Sequence, residues 1–233
     1  TSIRLDHCRF LKFSGARRAT SKLRTANEYI AFSSVSAQTA ESADLTFKRW
    51  ETSQRFYSLK RRVWQGGMML IGLIADTHDN LPMVDRAVRR LNEENVGLVL
   101  HAGDYVAGFV IPRFKELNAE LIGVFGNNDG DHELLKKRFS ENKRLQLRGN
   151  FAEITSGGLK IALLHGGEEE QLEALINHGN FDVVVHGHTH ITEIRRKGKT
   201  LVVNPGEVCG YLTGKSTIAL LDTVKHDAKL FKI

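Results

Sequence analysis

The sequence predicts an α/β protein in which two β-sheets pack face to face and helices cover their outer surfaces. From Met69 to about residue 128, short apolar runs alternate with helical patterns, the rhythm of a parallel sheet with right-handed crossovers. After residue 150 the chain becomes richer in strands, which come as hairpins around glycines. The 233 residues suffice for one good-sized domain, or for a domain with an appendage.

Three buried strands and two helices are predicted for the first half of the domain. The runs "MLIGLIAD", "VGLVLHAGD" and "AELIGVFGN" are short and rich in Ile, Leu and Val, as strands covered on both faces are. Pro82 opens a helix whose apolar positions recur with a period near 3.6, at Val84, Ala87, Val88 and Leu91. The segment "FVIPRFKEL" is predicted to be the second helix.

Three hairpins, one helix and one further buried strand are predicted for the second half. Hairpins are expected around Gly157 and Gly158, around Gly198, and in the closing segment "STIALLDTVKHDAKLFKI". The helix is expected from Glu168 to His178, and the strand lies in "FDVVVHGH". These elements complete the second sheet.

Residues 1–67 differ from the rest, and the domain is expected to span residues 68–233. The first 67 residues hold 13 Lys and Arg against 5 Asp and Glu, whereas the remainder holds 20 against 22. The N-terminal segment is expected to be a basic, Ser- and Arg-rich leader or extension outside the core fold, with a targeting or tethering arm as the alternative. A short basic helix is conceivable at Phe47–Trp64.

The location and the partners are constrained by the same composition. The core domain is slightly acidic, so nucleic acid is not expected to bind it. The two cysteines, Cys8 and Cys209, form no disulfide framework, which favours a reducing compartment, and a cytoplasmic location is expected. No apolar run approaches the roughly 20 residues of a membrane span, so no membrane partner is expected.

Residues that can bind metal ions stand directly after five successive predicted strands. They are Asp76, His78, Asp104, Asn127, His165, His188 and His190. Taken singly, such an Asp is more often a helix cap and such a His a packed core residue. All seven at one end of the strands instead indicate a metal site, because carboxylate and imidazole bind divalent ions such as Mn, Fe, Ni and Zn. One carboxylate between two sites can bridge two ions about 3.5–4 Å apart.

The order "DTH … GD … GNN … HG … GHTH" resembles the calcineurin-like metallophosphoesterase superfamily, whose pattern is DxH, GD, GNH, H and GHxH. The length and "NPGEVCGYLTG" are similar to its small archaeal and bacterial branch, the phosphodiesterases of the YfcE type. The resemblance implies a four-layer α/β/β/α sandwich of two packed mixed sheets. It also implies a hydrolase that cleaves phosphodiesters by in-line attack of a hydroxide bridging two ions.

The resemblance assigns each ligand to one of the two ions. The first ion is held by Asp76, His78, Asp104 and His190, and the second by Asp104, Asn127, His165 and His188. Asp104 is therefore the bridging, catalytic carboxylate. Manganese is the expected metal, with Ni, Fe, Mg or Zn as alternatives.

Two positions depart from the family pattern. Asn128 stands where most of the superfamily has a His, so it can donate a hydrogen bond to a phosphoryl oxygen but cannot serve as a general acid. We assign Asn128 a catalytic and substrate-binding role. Gly167 replaces the His of the branch's "HGH", which leaves His101 as a candidate substrate contact, with strand-end packing as its alternative.

Three functions remain open at the level of sequence. The first is a phosphodiesterase acting on a small phosphodiester, supported by the complete ligand set. The second is a binding or scaffold module like the retromer subunit that shares the fold, with weak or no catalysis, supported by Asn128 and Gly167. A phosphomonoesterase is disfavoured by the missing general acid. The oligomeric state is left open.

Overall fold

The computed structural model describes residues 69–233. The predicted leader at 1–67, the basic helix considered at Phe47–Trp64 and Cys8 lie outside the described residues.

The first sheet has six strands in the order β11-β10-β1-β2-β3-β4. Its strands are β1 (Leu70–Ile74), β2 (Leu98–His101), β3 (Glu120–Gly123), β4 (Leu145–Leu147), β10 (Thr217–Asp222) and β11 (Asp227–Lys232). Strands β1 to β4 run parallel, whereas β10 pairs antiparallel with both β1 and β11. The three buried strands predicted for the first half are β1, β2 and β3, and the closing hairpin is β10 with β11.

The second sheet has five strands in the order β5-β6-β7-β9-β8. Its strands are β5 (Phe151–Ser156), β6 (Leu159–Leu164), β7 (Val183–Val185), β8 (Glu193–Lys197) and β9 (Thr200–Asn204). The central three run parallel, and the two edge strands pair antiparallel through the predicted hairpins. Gly157 and Gly158 both have positive φ, as the two-residue turn between β5 and β6 requires.

Three α-helices and one 3₁₀ helix lie in the described part of the chain: α1 (Leu81–Glu93), the 3₁₀ helix (Ile111–Glu116), α2 (His132–Ser140) and α3 (Glu169–His178). The prediction of α1 is confirmed down to its four buried apolar positions. The second predicted helix is not an α-helix but the six-residue 3₁₀ helix. Helices of this type are used in short pieces. Helix α2 was not predicted, since Leu135 and Phe139 are its only buried residues.

Two sheets and two helical layers stack in the order α/β/β/α, as predicted. A core between the sheets takes side chains from both, among them Leu73, Leu100, Leu163 and Val203. A second core lies between the first sheet and helices α1 and α2. A third is formed by α3 against the second sheet. Among the described residues, no helix is long and apolar enough to cross a membrane.

Candidate metal centre

All seven predicted ligands lie at the carboxyl ends of parallel strands in the two sheets. Asp76 and His78 follow β1, Asp104 follows β2 and Asn127 follows β3. His165 follows β6, and His188 and His190 follow β7. In open α/β sheets, ligands bind outside the carboxyl ends of the strands. The structure therefore places the ligands where such a fold keeps its chemistry.

The first group of ligands is Asp76, His78, Asp104 and His190, whose ligand atoms all lie within 4.8 Å of one another. Nε2 of His190 is 3.6 Å from Oδ1 of Asp76, and Nε2 of His78 is 3.8 Å from Oδ2 of Asp104. Oδ1 of Asp76 and Nε2 of His78 are buried, and neither has a hydrogen-bond partner among the described residues. Buried polar atoms without partners are costly, so this group fits a divalent cation.

The second group brings Asn127, His165 and His188 to the other side of Asp104. Oδ1 of Asn127 is 2.8 Å from both Nε2 of His165 and Nδ1 of His188. Nε2 of His165 is 3.5 Å from Oδ2 of Asp104. Nδ1 of His165 lies 2.8 Å from the carbonyl oxygen of Ala102. Because a carbonyl oxygen can only accept a hydrogen bond, Nδ1 carries the proton of the neutral ring and Nε2 is unprotonated. An unprotonated ring nitrogen that faces an amide oxygen is suited to binding a cation together with that oxygen.

Asp104 belongs to both groups and is held by Asn128. The backbone N–H of Asn128 donates to Oδ1 of Asp104 at 2.9 Å, and its side-chain amide donates to Oδ2 at 2.7 Å. Asp104 is buried, whereas Asn128 is exposed. The orientation of the Asp104 carboxylate is therefore fixed by Asn128, the residue at which the sequence departs from the pattern that it resembles.

The protonation states of two ligands are set mainly by burial. Burial and the neighbouring Asp104 carboxylate raise the pKa of Asp76 to about 8. Burial lowers the pKa of His165, although the Asp104 carboxylate acts in the opposite direction. His165 is thus held neutral, which is the form that binds metal. Asp76 without a cation would be largely protonated at neutral pH.

Five ligands have left-handed backbone conformations, which residues with side chains rarely adopt. Their φ angles are 49° at Asp76, 42° at His78, 61° at Asp104, 69° at His188 and 61° at His190. Such conformations cost on the order of 1 kcal/mol each and persist only where the surroundings impose them. Orienting these side chains therefore costs the fold some of its stability.

The turns that carry the ligands are joined in pairs by backbone hydrogen bonds. Asp76 N–H donates to the carbonyl of Gly103 at 3.1 Å, and His78 N–H donates to that of Asp104 at 2.9 Å. In the second sheet, Gly187 N–H donates to the carbonyl of His165 at 2.9 Å. The turns therefore hold one another in place.

Glu207 is a functional residue that the sequence did not reveal. It is fully buried, and its carboxylate accepts a hydrogen bond from Nδ1 of His190 at 2.7 Å. It also accepts from the N–H and hydroxyl of Thr213 and from the thiol of Cys209. Burial alone would raise the pKa of Glu207, but these hydrogen bonds outweigh it and lower the pKa to about 2. Glu207 thereby fixes the tautomer in which Nε2 of His190 is free to bind a metal.

Asp129 has a comparable supporting role. It is buried, and its carboxylate accepts the backbone N–H groups of Asp104, Tyr105, Val106 and Gly126. The loop that carries Asp104 is thereby fastened to the loop that follows β3.

His101 does not reach the opening of the centre, so the structure argues against its predicted contact with substrate. Its side chain is fully buried. Nδ1 accepts the N–H of Gly103 at 3.1 Å, and Nε2 lies 3.1 Å from the hydroxyl of Thr77. That hydroxyl donates to the carbonyl of Asp104 at 3.3 Å. The alternative, packing at the end of the strand, is what the structure shows.

Gly126→Ala is expected to weaken metal binding about 10–100-fold, as the loss of a supporting contact typically does. A methyl group at this position would overlap the carboxylate and backbone nitrogen of Asp104. Gly130→Ala is the matched control, because nothing lies within 4 Å of the added carbon there. Calorimetric titration with Mn²⁺ measures both variants. Equal affinity in the two would contradict the expected displacement of Asp104.

Comparison with known protein families and proteins places this chain among the phosphoesterases. The family model of the calcineurin-like phosphoesterase superfamily domain matches residues 69–226. Phosphodiesterase MJ0936 of Methanocaldococcus jannaschii is 43% identical over 159 residues, which cover 68% of this chain and 96% of that protein.

Solved structures show the same fold. That of an archaeal phosphodiesterase is 41% identical, has a TM-score of 0.68, and covers 71% of this chain and 100% of that one. A single mutant of Vps29 from Entamoeba histolytica is 23% identical with a TM-score of 0.52, over 71% of this chain and 98% of its own. The second likeness concerns the fold alone.

Proposed function

Because the chain belongs to the calcineurin-like phosphoesterase superfamily and is 43% identical to an archaeal phosphodiesterase, we propose that it hydrolyses small phosphodiesters with two divalent ions. The observation that carries this proposal is the convergence of two ligand groups on one carboxylate, that of Asp104. A bridging carboxylate with ligands on both sides suits a pair of ions.

The ligands divide between the ions as the family pattern implies. Asp76, His78, Asp104 and His190 would hold one ion, and Asp104, Asn127, His165 and His188 the other. Bound there, the ions supply Lewis acidity that activates water and neutralises charge on the phosphoryl group. The donors are nitrogen and oxygen atoms, and we propose manganese, with Ni, Fe, Mg or Zn as alternatives.

Asn128 is proposed to have two roles at the reaction centre. One hydrogen of its side-chain amide is used on Asp104. An amide has two hydrogens, so the second can donate to a phosphoryl oxygen at the exposed opening. Asn128 supplies no proton to the leaving group. The absence of proton transfer from this residue favours esters with good leaving groups, since general acid catalysis contributes about 10²–10⁴ in rate.

A binding module with the same fold is the alternative function. The likeness to Vps29 supports that fold and no more. A module that had given up metals would have lost ligands, whereas here all seven positions are filled and converge. We therefore favour the hydrolase. The cytoplasmic location stays a prediction, as does the separation of residues 1–67 from the domain.

We expect Mn²⁺-dependent cleavage of bis(p-nitrophenyl) phosphate, with much slower cleavage of p-nitrophenyl phosphate. The full chain is stripped with a chelator and reconstituted with each candidate metal, and release of p-nitrophenol is followed. Calorimetry on the same samples reports whether the ions bind. Bound metal without turnover of the diester, for every candidate ion, would replace the hydrolase by the binding module.

A further inference from the structure

Two large side chains are exposed on the loop that follows β9. Tyr211 is 57% exposed and Leu212 is 74% exposed. The ring of Tyr211 lies beside the first group of ligands, with its centroid 6.2 Å from that of His78. An aromatic ring left in solvent next to a metal ligand suggests a binding role more than a packing role.

The base of this loop is fastened to the strand end that carries Asp76. The N–H groups of Val208 and Cys209 donate to the carbonyls of Ala75 and Asp76, both at 3.0 Å. The side chain of Asn80 donates to the carbonyl of Cys209 at 2.7 Å. The root of the loop therefore cannot move independently of the metal ligands.

The tip of the loop is fastened as well. Glu207, which also binds His190, accepts the N–H of Leu212 at 3.1 Å and the N–H of Thr213 at 2.6 Å. The hydroxyl of Tyr211 donates to Asp79 at 3.2 Å, one residue beyond His78. The ring is thus held in a defined position before any ligand arrives, which lowers the entropic cost of binding to it.

We propose that the ring of Tyr211 forms a subsite for an aromatic group attached to phosphorus, and that the enzyme acts on aromatic phosphodiesters, nucleotide esters among them. This inference rests on the proposed function. A phosphoryl group at the metal centre lies next to His78, so its substituent comes within reach of the neighbouring ring. The hydroxyl is engaged at the edge of the ring, and more than half of the side chain remains exposed for contact. Leu212 adds a neighbouring apolar surface.

The test compares phenylphosphonate with methylphosphonate at a pH above the second pKa of both, so that the two carry the same charge and differ in the ring. Binding to the Mn²⁺-loaded full chain is measured by calorimetry, so that no turnover is needed. We expect phenylphosphonate to bind about tenfold more tightly, within the range of a stacked ring. Tyr211→Ala should remove this preference. Tyr211→Phe should keep most of the preference, because the ring remains and only one of the contacts that position it, the bond to Asp79, is lost.

Equal affinity for the two phosphonates in the natural protein would overturn the subsite, as would a preference that survives in Tyr211→Ala. Turnover of bis(p-nitrophenyl) phosphate is measured in parallel. A ring preference that depends on Tyr211, without turnover of any diester, would support the subsite and reject the proposed hydrolysis. Turnover of the diester without a ring preference would support the proposed hydrolysis and reject the subsite.

Discussion

Asp104→Asn is expected to lower kcat for bis(p-nitrophenyl) phosphate at least about a thousandfold. Asp104 faces both ligand groups, with Nε2 of His78 at 3.8 Å and Nε2 of His165 at 3.5 Å from its Oδ2. An amide at this position keeps the shape but offers one neutral oxygen in place of a carboxylate. Two ions cannot then share it, and the second is expected to be lost.

The metal content of Asp104→Asn decides how the loss arises. Elemental analysis after gel filtration should give about one ion per chain where the natural protein gives two. Asp85→Asn is the control, because Asp85 is partly exposed on α1 and, within the described part of the chain, its side chain forms a surface ion pair with Arg113. Two retained ions together with unchanged kcat would reject Asp104 as the bridge.

Asp76→Asn is expected to abolish metal-dependent activity and, in the same protein, to stabilise the metal-free fold above pH 7. Asp76 is fully buried, its Oδ1 has no hydrogen-bond partner among the described residues, and burial and Asp104 raise its pKa to about 8. The metal-free folded state therefore holds a proton that the unfolded chain, in which this carboxyl has its ordinary pKa of 3.8, has released. A raised folded pKa means stability that is lost as pH increases.

The range from pH 7 to pH 9 isolates the titration of the Asp76 carboxyl. Across it, the free energy of unfolding of the metal-free natural protein should fall by about 1.4 kcal/mol relative to Asp76→Asn. Taking the difference between the two proteins cancels the contributions of other groups, the histidines among them. Urea unfolding in the presence of a chelator measures it. Parallel pH profiles for the two proteins would contradict the raised pKa.

Manganese should reverse the order of stability. The natural protein gains stability from an ion that binds only its folded state, whereas Asp76→Asn has lost a ligand. Adding Mn²⁺ in excess at pH 8 should therefore raise the unfolding midpoint of the natural protein and leave that of the variant nearly unchanged.

The positions proposed as metal ligands could be picked out from the sequence because their signals are local. Each follows a short apolar run, and the spacing in Asp76-x-His78 and His188-x-His190 is visible without a structure. The resemblance to the calcineurin-like superfamily is confirmed by the family model and by the archaeal relative. The layer order of the fold followed from the alternation of strands and helices.

The residues that support the ligands could not be predicted, because their roles depend on contacts between distant positions. Glu207 is 17 residues from His190, and nothing in "NPGE" distinguishes a buried carboxylate from an exposed one. Asn128 is 24 residues from Asp104. His101 is the opposite case, since its closeness to Asp104 along the chain suggested a place at the site, whereas the structure buries its side chain fully.

Exchange of one ion for another at the proposed centre would require no refolding of the backbone. The turns that bear the ligands are paired by their own hydrogen bonds, from Asp76 to Gly103, from His78 to Asp104 and from Gly187 to His165. The conformational entropy of arranging them is lost when the chain folds, and an arriving ion does not have to supply it again. The same polypeptide scaffold could therefore accept different divalent ions in turn, with the composition of the surrounding solution deciding which of them binds.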